Sequence, residues 1–183
     1  MRKPVNFLIL NMSSPNKKAP SPLAYLRDII ALPVMVTIVI PYFFPYDKKQ
    51  AFIPDNIFIK ITGTAFFVAG LLLFLSTNYL FVTIAKGTLA PWSPKQQLVV
   101  KGPYRYCRNP MITGVLFILC AESLYFHSTN ILLWAAFFFL MNTFYFITVE
   151  EPHLQKTFGE SYKTYKANVP RWLPRLMPYT MNM

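Results

Sequence analysis

Charged residues, cysteine and histidine are scarce in this chain of 183 residues, and each shortage excludes a class of protein or site. Only 14% of the residues are charged, whereas 54% are hydrophobic and 17% are aromatic. That composition is far from that of a soluble domain and is typical of a protein with several membrane spans. The two cysteines, Cys107 and Cys120, have no paired spacing, so we expect packing residues and no disulfide. The two histidines, His127 and His153, lie too far apart to predict a metal site.

Acidic residues are also few, since 7 Asp and Glu stand against 18 Lys and Arg and give a net charge of +11. A soluble protein that binds nucleic acid does not separate its basic patches by long apolar runs, so we expect no nucleic-acid partner. The positive charge instead indicates orientation in a membrane and attraction to anionic lipid heads. The sequence also lacks a GxGxxG motif, a P-loop and a Ser-His-Asp arrangement, which excludes a Rossmann-type site for a nucleotide-like cofactor.

The apolar runs predict an all-α integral membrane protein with about four transmembrane helices in a single domain, residues 1–183. The predicted spans cover residues 23–45, 57–85, 110–127 and 131–150. A basic arm, 1–22, precedes them, a basic loop, 86–109, divides them, and an amphipathic interfacial tail, 152–183, follows them. Because Lys and Arg concentrate in the arm, the loop and the tail, both termini are predicted to be cytoplasmic, in a bacterial-type inner membrane or an equivalent cytosol-facing membrane.

Three positions inside the predicted spans are unusual for lipid-facing helices. Gly63 and Gly70 are small residues that would let another helix approach closely. Glu122 lies inside the third predicted span, where an acid is expensive and is therefore a functional candidate. A hydrogen bond from Glu122 to Asn142 or Thr143 of the fourth span explains the acid equally well. Small residues permit a dimer without requiring one, so the sequence leaves the oligomeric state open.

The segment Leu98–Gly114 is basic, aromatic and rich in turn residues, and it runs directly into the third predicted span. Pro110 suits the first turn of that helix, whose free N–H groups favour an anionic ligand group. Glu150 and Glu151 end the fourth span, where two adjacent acids are unfavourable for the helix dipole. Since both segments lie on the same predicted side, we expect them to meet. Either an arginine–glutamate pair clamps the two helices together, or the acids bind a cationic ligand.

These segments, followed by Phe158–Gly159, Tyr162 and Tyr165, resemble the superfamily of isoprenylcysteine carboxyl methyltransferases and phospholipid methyltransferases. The shared pattern is LV..G.Y...R(H/N)P...G, followed by EE..L...FG..Y..Y, and it covers residues 98–174. The resemblance implies an S-adenosylmethionine-dependent methyltransferase that acts on a lipophilic acceptor at the cytoplasmic membrane face. A small thiol as acceptor and a non-catalytic membrane protein that retains the fold are the alternatives.

The resemblance also implies the residues of the site. Those that would bind S-adenosylmethionine are Gln97, Leu98, Val99, Gly102, Tyr104, Arg108, Asn109, Pro110, Met111, Gly114 and Glu150. Glu150 can take the ammonium of the cofactor, Arg108 or the helix N-terminus its carboxylate, and Tyr104, Tyr106 or Trp92 its adenine or sulfonium. Arg108 and Glu151 are the catalytic candidates, with Glu151 as the nearest base for an amine acceptor.

Phe146 departs from the pattern of the prenylcysteine enzymes, which have an arginine four residues before the acid that corresponds to Glu150. In those enzymes the arginine faces the carboxylate of the substrate. Its absence argues against a carboxylate acceptor and favours a lipid amine or another apolar nucleophile, whereas a prenylated or isoprenoid-type substrate stays open.

Overall fold

The computed structural model describes residues 33–43, 53–80, 83 and 98–180. Every regular element within these ranges is helical, and none is a strand. The basic arm, about half of the first predicted span and half of the basic loop, including Trp92 and Gln97, lie outside the described residues. The all-helical fold class is therefore confirmed for the part of the chain that the structure describes.

The described elements are five helices, taken here in chain order. They are α1 (Ile40–Tyr42, which continues a π-helical turn, Met35–Val39), α2 (Ile57–Leu80), α3 (Pro110–Tyr125), α4 (Thr129–Tyr145) and α5 (Glu151–Asn168). A 3-10 turn, Gly102–Arg105, precedes α3, and a π-helical turn, Phe146–Glu150, joins α4 to α5 without a break.

Polar side chains and a proline begin the long helices. The Asn56 side chain accepts a hydrogen bond from the backbone N–H of Ile59 at 2.9 Å, which satisfies a free donor of the first turn of α2. Pro110 occupies the first turn of α3, as expected from its fixed φ and missing donor. The Ser128 side chain accepts from the backbone N–H of Ile131 and caps α4.

Helices α2 and α3 approach each other at a pair of glycines. A Cβ atom built on Gly70 would lie 2.7 Å from the carbonyl oxygen of Gly114, and one built on Gly114 would lie 2.9 Å from that of Gly70. Gly63 faces Tyr125 at a looser 3.4 Å. The expectation that Gly63 and Gly70 admit a neighbouring helix is confirmed, since only a residue without a side chain permits this backbone contact at Gly70.

Two described helices, α2 and the continuous helix Thr129–Asn168, are long and apolar enough to cross a membrane. Both carry many large apolar side chains on their outer faces, among them Phe58, Leu72, Leu133 and Phe144. A smaller core of Val115, Leu119, Ala135 and Phe138 joins α3 to α4. This arrangement is that of a helical membrane protein, since lipid replaces water around its apolar exterior.

The hydrogen bond considered between Glu122 and the fourth span does not form. The Asn142 side chain donates instead to the carbonyl of Phe138, and Thr143 donates to that of Phe139, both at 2.8 Å. The side chains of Asn142 and Thr143 therefore both donate within their own helix. One carboxylate oxygen of Glu122 is buried without a hydrogen-bond partner among the described residues.

Candidate functional site

Arg108 and Glu151 form the contact that joins the basic segment before α3 to the start of α5. The Arg108 Nη1 atom lies 2.7 Å from Glu151 Oε1, and the two side chains are only 10% and 5% exposed. The prediction that these two segments meet is confirmed. The contact also corresponds to the arginine–glutamate clamp considered as one of the two interpretations.

Two further cations form ion pairs with Glu151. Arg171 Nη2 lies 2.7 Å from the same Oε1 atom, and Lys166 Nζ lies 2.8 Å from Oε2. Burial by itself raises the pKa of Glu151, but the hydrogen bonds from Lys166 and Arg171 and the charge of Arg108 outweigh it and leave the pKa below its usual value. An ionised carboxylate fixed by three cations is suited to holding Arg108 in place.

The tail strap, residues 169–179, runs beside the segment that precedes α3. Arg108 donates from its backbone N–H to the carbonyl of Pro170 and from Nε to that of Val169, both at 2.9 Å. The backbone N–H groups of Arg175 and Tyr179 donate to the carbonyls of Tyr106 and Arg105, respectively. The strap therefore fixes the backbone conformation of the segment that carries Arg108. The sequence predicts this tail at the membrane interface, and no pattern in it indicates the hydrogen bonds to the loop.

A cavity of about 630 Å³ lies beside the Arg108–Glu151 contact. Its walls include eight of the predicted site residues, which are Leu98, Val99, Tyr104, Arg108, Asn109, Met111, Glu150 and Glu151. These residues come from the segment before α3, the start of α3, the π-helical turn and the first residue of α5. Segments that are far apart in the sequence therefore share one concave surface of the size typical of a small-molecule site.

Three predicted site residues do not line the cavity. Gly102 has φ +54° and begins the 3-10 turn, where a left-handed backbone conformation favours glycine. Pro110 starts α3 and is buried, whereas Gly114 faces Gly70 of α2. The structure gives each of them a backbone or packing role, and their contact with a cofactor stays a prediction. Gln97 lies outside the described residues.

Tyr104 is the aromatic candidate that the structure places at the cavity. The Tyr165 hydroxyl donates to the backbone carbonyl of Tyr104 at 2.7 Å and fixes its position. Burial raises the pKa of Tyr104 well above its usual value, so its phenol stays neutral. Tyr106 is exposed and is absent from the walls, and Trp92 falls outside the described residues.

The cavity also has an apolar part, which the sequence reasoning missed. Val115 and Phe138 of the helix core line it, together with Val36, Phe74 and Trp134, which pack against that core. On α4 the lining residues Trp134, Phe138, Met141 and Tyr145 recur at intervals of three and four. That spacing marks one helix face and was the available signal in the sequence. The cavity thus extends from the charged contact into the space between the helices.

The π-helical turn supplies the remaining polar wall. Glu150 is 9% exposed and hydrogen-bonds with the Tyr145 side chain. Phe146 lines the cavity and packs edge-on against Trp172 of the tail strap, with ring centroids 5.9 Å apart. Because a π-helical turn widens the helix locally, it often occurs at functional sites. Here two consecutive acids, Glu150 and Glu151, are both buried and both line the cavity.

Comparison with protein families gives one match, to a family described as phospholipid methyltransferase, over residues 58–161. The matched region begins at the second residue of α2, contains α3, α4, the π-helical turn and the first part of α5, and ends before the tail strap. No curated protein and no solved structure matches the chain. Because the match covers more than half of the 183 residues, the chain belongs to the phospholipid methyltransferase family.

Proposed function

We propose that this protein transfers a methyl group from S-adenosylmethionine to a lipid amine at the cytoplasmic face of a membrane. The observation that carries the proposal is the single cavity in which Arg108 and Glu150 share a wall with an apolar space between helices. Family membership supports methyl transfer to a lipid-type substrate. The proposal includes the identity of the methyl donor and of the acceptor. It also includes the count of four membrane spans and the cytoplasmic position of both termini.

The groups at the charged part of the cavity match the chemistry of S-adenosylmethionine. Glu150 offers a buried carboxylate for the ammonium. Arg108 and the N-terminus of α3, where Asn109 and Met111 line the cavity, offer cationic and N–H groups for the carboxylate. The ring of Tyr104 provides a surface for the adenine or the sulfonium, and a cation–π contact contributes about 0.5–2 kcal/mol. We therefore assign these residues to the cofactor.

The bound cofactor would supply a methyl group that its sulfonium already activates. The protein then has to position the two reactants and exclude water. Good orientation of the reactants can lower the activation free energy by about 7–11 kcal/mol. Glu151 and the tail strap hold Arg108, and apolar residues such as Val99 and Phe138 form dry walls. No nucleophilic side chain is required.

We propose that Glu151 positions Arg108, in preference to its predicted role as a base. Arg108, Lys166 and Arg171 occupy both oxygens of Glu151 and leave its pKa below the usual value, which makes this carboxylate a weak proton acceptor. Removal of Glu151 should therefore affect cofactor binding indirectly, through the position of Arg108 and the stability of the fold. Removal of Glu150 acts directly on the cofactor.

The apolar part of the cavity supports a lipophilic acceptor. Its walls of Val36, Phe74 and Trp134 offer no charged partner for a soluble substrate. Phe146, in the place of the arginine of prenylcysteine enzymes, offers no partner for an acceptor carboxylate either. A lipid amine with its chains between the helices satisfies both observations, and a small thiol does not use the apolar space.

A methyl-transfer assay with labelled S-adenosylmethionine, offered total membrane lipids or small thiols, tests the proposal. We expect label in the amine-containing lipids with the wild type and none with Glu150→Gln. Glu160→Gln is the matched control, because Glu160 is 83% exposed and outside the cavity. Label in the thiols alone would show that the acceptor is a small thiol and not a lipid amine. Failure of the folded wild type to bind S-adenosylmethionine would favour the non-catalytic clamp.

A further inference from the structure

A second concavity, of about 530 Å³, lies on the outer side of α5 and shares no residue with the first cavity. Lys156, Lys163 and Lys166 line it around Gly159. Gly159 has φ +55° and ψ −129°, a backbone conformation that interrupts the helix and that L-residues rarely adopt. This break lies between Lys156 and the two later lysines, which surround one shallow surface.

The concavity has an excess of positive charge. Lys163 pairs with the exposed Glu160, and Lys166 pairs with Glu151, which Arg108 and Arg171 already share. Lys156 has no acidic partner among the residues that the structure describes. Within the described ranges, Glu160 is therefore the one carboxylate that pairs with one of these three lysines and with no other cation. A bound anion would balance the remaining positive charge.

Its position in the chain suits the boundary between lipid and water. The concavity continues onto Ile147 and Pro152, at the point where the apolar helix gives way to the polar α5. Ile147 is 49% exposed on the side of the helix that bears other large apolar side chains. Lysines beside such a surface extend their ammonium groups toward the headgroup region of a bilayer.

We propose that the concavity around Gly159 binds the phosphate of an anionic phospholipid headgroup from the surrounding bilayer. Charge complementarity selects the anionic headgroup, and the adjoining Ile147 selects a lipid over a free anion. The site holds a structural or regulatory lipid beside the start of α5. It depends on the membrane location of the chain and is independent of the proposed methyl transfer.

The test measures lipid binding to the purified full-length protein in detergent by native mass spectrometry. Phosphatidylglycerol is titrated against phosphatidylcholine with the same acyl chains, with the wild type and with the double variant Lys156→Gln, Lys163→Gln. The matched double control is Lys60→Gln, Lys101→Gln. Lys60 is 53% exposed and paired with Asp55, as Lys163 is 50% exposed and paired with Glu160, and neither control lysine lines the concavity.

We expect the wild type to prefer phosphatidylglycerol, and each lysine removed from the concavity to weaken its binding about fivefold. The control should keep the wild-type preference, and both variants should keep the wild-type affinity for S-adenosylmethionine. Equal binding of the two lipids by the wild type would overturn the proposal, as would equal losses in the two double variants. Binding of inorganic phosphate as tight as that of phosphatidylglycerol would also overturn it, because the apolar part of the lipid would then contribute nothing.

Discussion

Replacing Glu151 by Gln should destabilise the protein strongly, because three cations lose the carboxylate that they share. Arg108 and Glu151 are 10% and 5% exposed, and removing one partner of such a buried pair costs about 3–5 kcal/mol. Lys166 is 41% exposed, so water screens its pair with Glu151 and its loss adds at most about 1 kcal/mol. The buried arginine therefore dominates the expected loss.

Thermal unfolding in detergent, followed by circular dichroism, measures this difference. Glu160→Gln is the matched control, since Glu160 pairs with Lys163 but is 83% exposed, and its loss should cost no more than about 1 kcal/mol. Equal midpoints for the two variants would refute the positioning role of Glu151. A Glu151→Gln variant of wild-type stability and cofactor affinity that transfers no methyl group would instead restore Glu151 as the base.

Three further predictions concern the packing and ionisation of described residues. Gly70→Ala should cost about 1–3 kcal/mol by overpacking against the backbone of α3, and Gly63→Ala, with its 3.4 Å contact, should cost less in the same unfolding assay. Burial raises the pKa of Cys107 to about 11 from an ordinary 9.0, so in a Cys120→Ser background its alkylation at pH 8 should be about a hundredfold slower than that of a free thiol. Since the pKa of Glu151 is lowered, its stabilisation should be complete above its ordinary pKa of 4.5 and lost as the pH falls through the lower folded value, which the midpoints of the wild type and Glu151→Gln measure.

Each of these three has a contradicting result. Equal midpoints for the two alanine variants would show that the glycine contact is not tight. Fast alkylation of Cys107 in the folded protein would show that its thiol is accessible. A wild-type midpoint that falls with acidification no more than that of Glu151→Gln would show that this carboxylate is not held ionised by its cations.

Local patterns in the sequence predicted the helices and the central contact. Pro110 indicated the start of α3, and the helix does begin there. The lysine and arginine distribution placed the basic segment and the paired acids on one side, and the Arg108–Glu151 contact confirms that they meet. These features depend on short spacing rules and on charge, both of which can be read without knowing the packing.

Features that depend on the packing of distant segments were not predictable. The tail was expected at the membrane interface, whereas Arg171 of the tail pairs with Glu151 and the tail strap holds Arg108. Gly114 was assigned to the cofactor because it belongs to the family pattern, and that assignment stays a prediction, but the contact of its carbonyl with Gly70 was not foreseen. A motif records which residues recur, and it does not distinguish a ligand contact from a helix contact.

Calorimetric titration of S-adenosylmethionine into the purified protein measures whether the cavity beside Glu150 binds the cofactor. We expect saturable binding by the wild type and by Glu160→Gln, and no measurable binding by Glu150→Gln, whose buried carboxylate lines the cavity. Unchanged affinity in a folded Glu150→Gln variant would contradict the assignment of that acid to the ammonium. No heat of binding with the folded wild type would contradict the proposed S-adenosylmethionine site and, with it, the proposed methyl transfer.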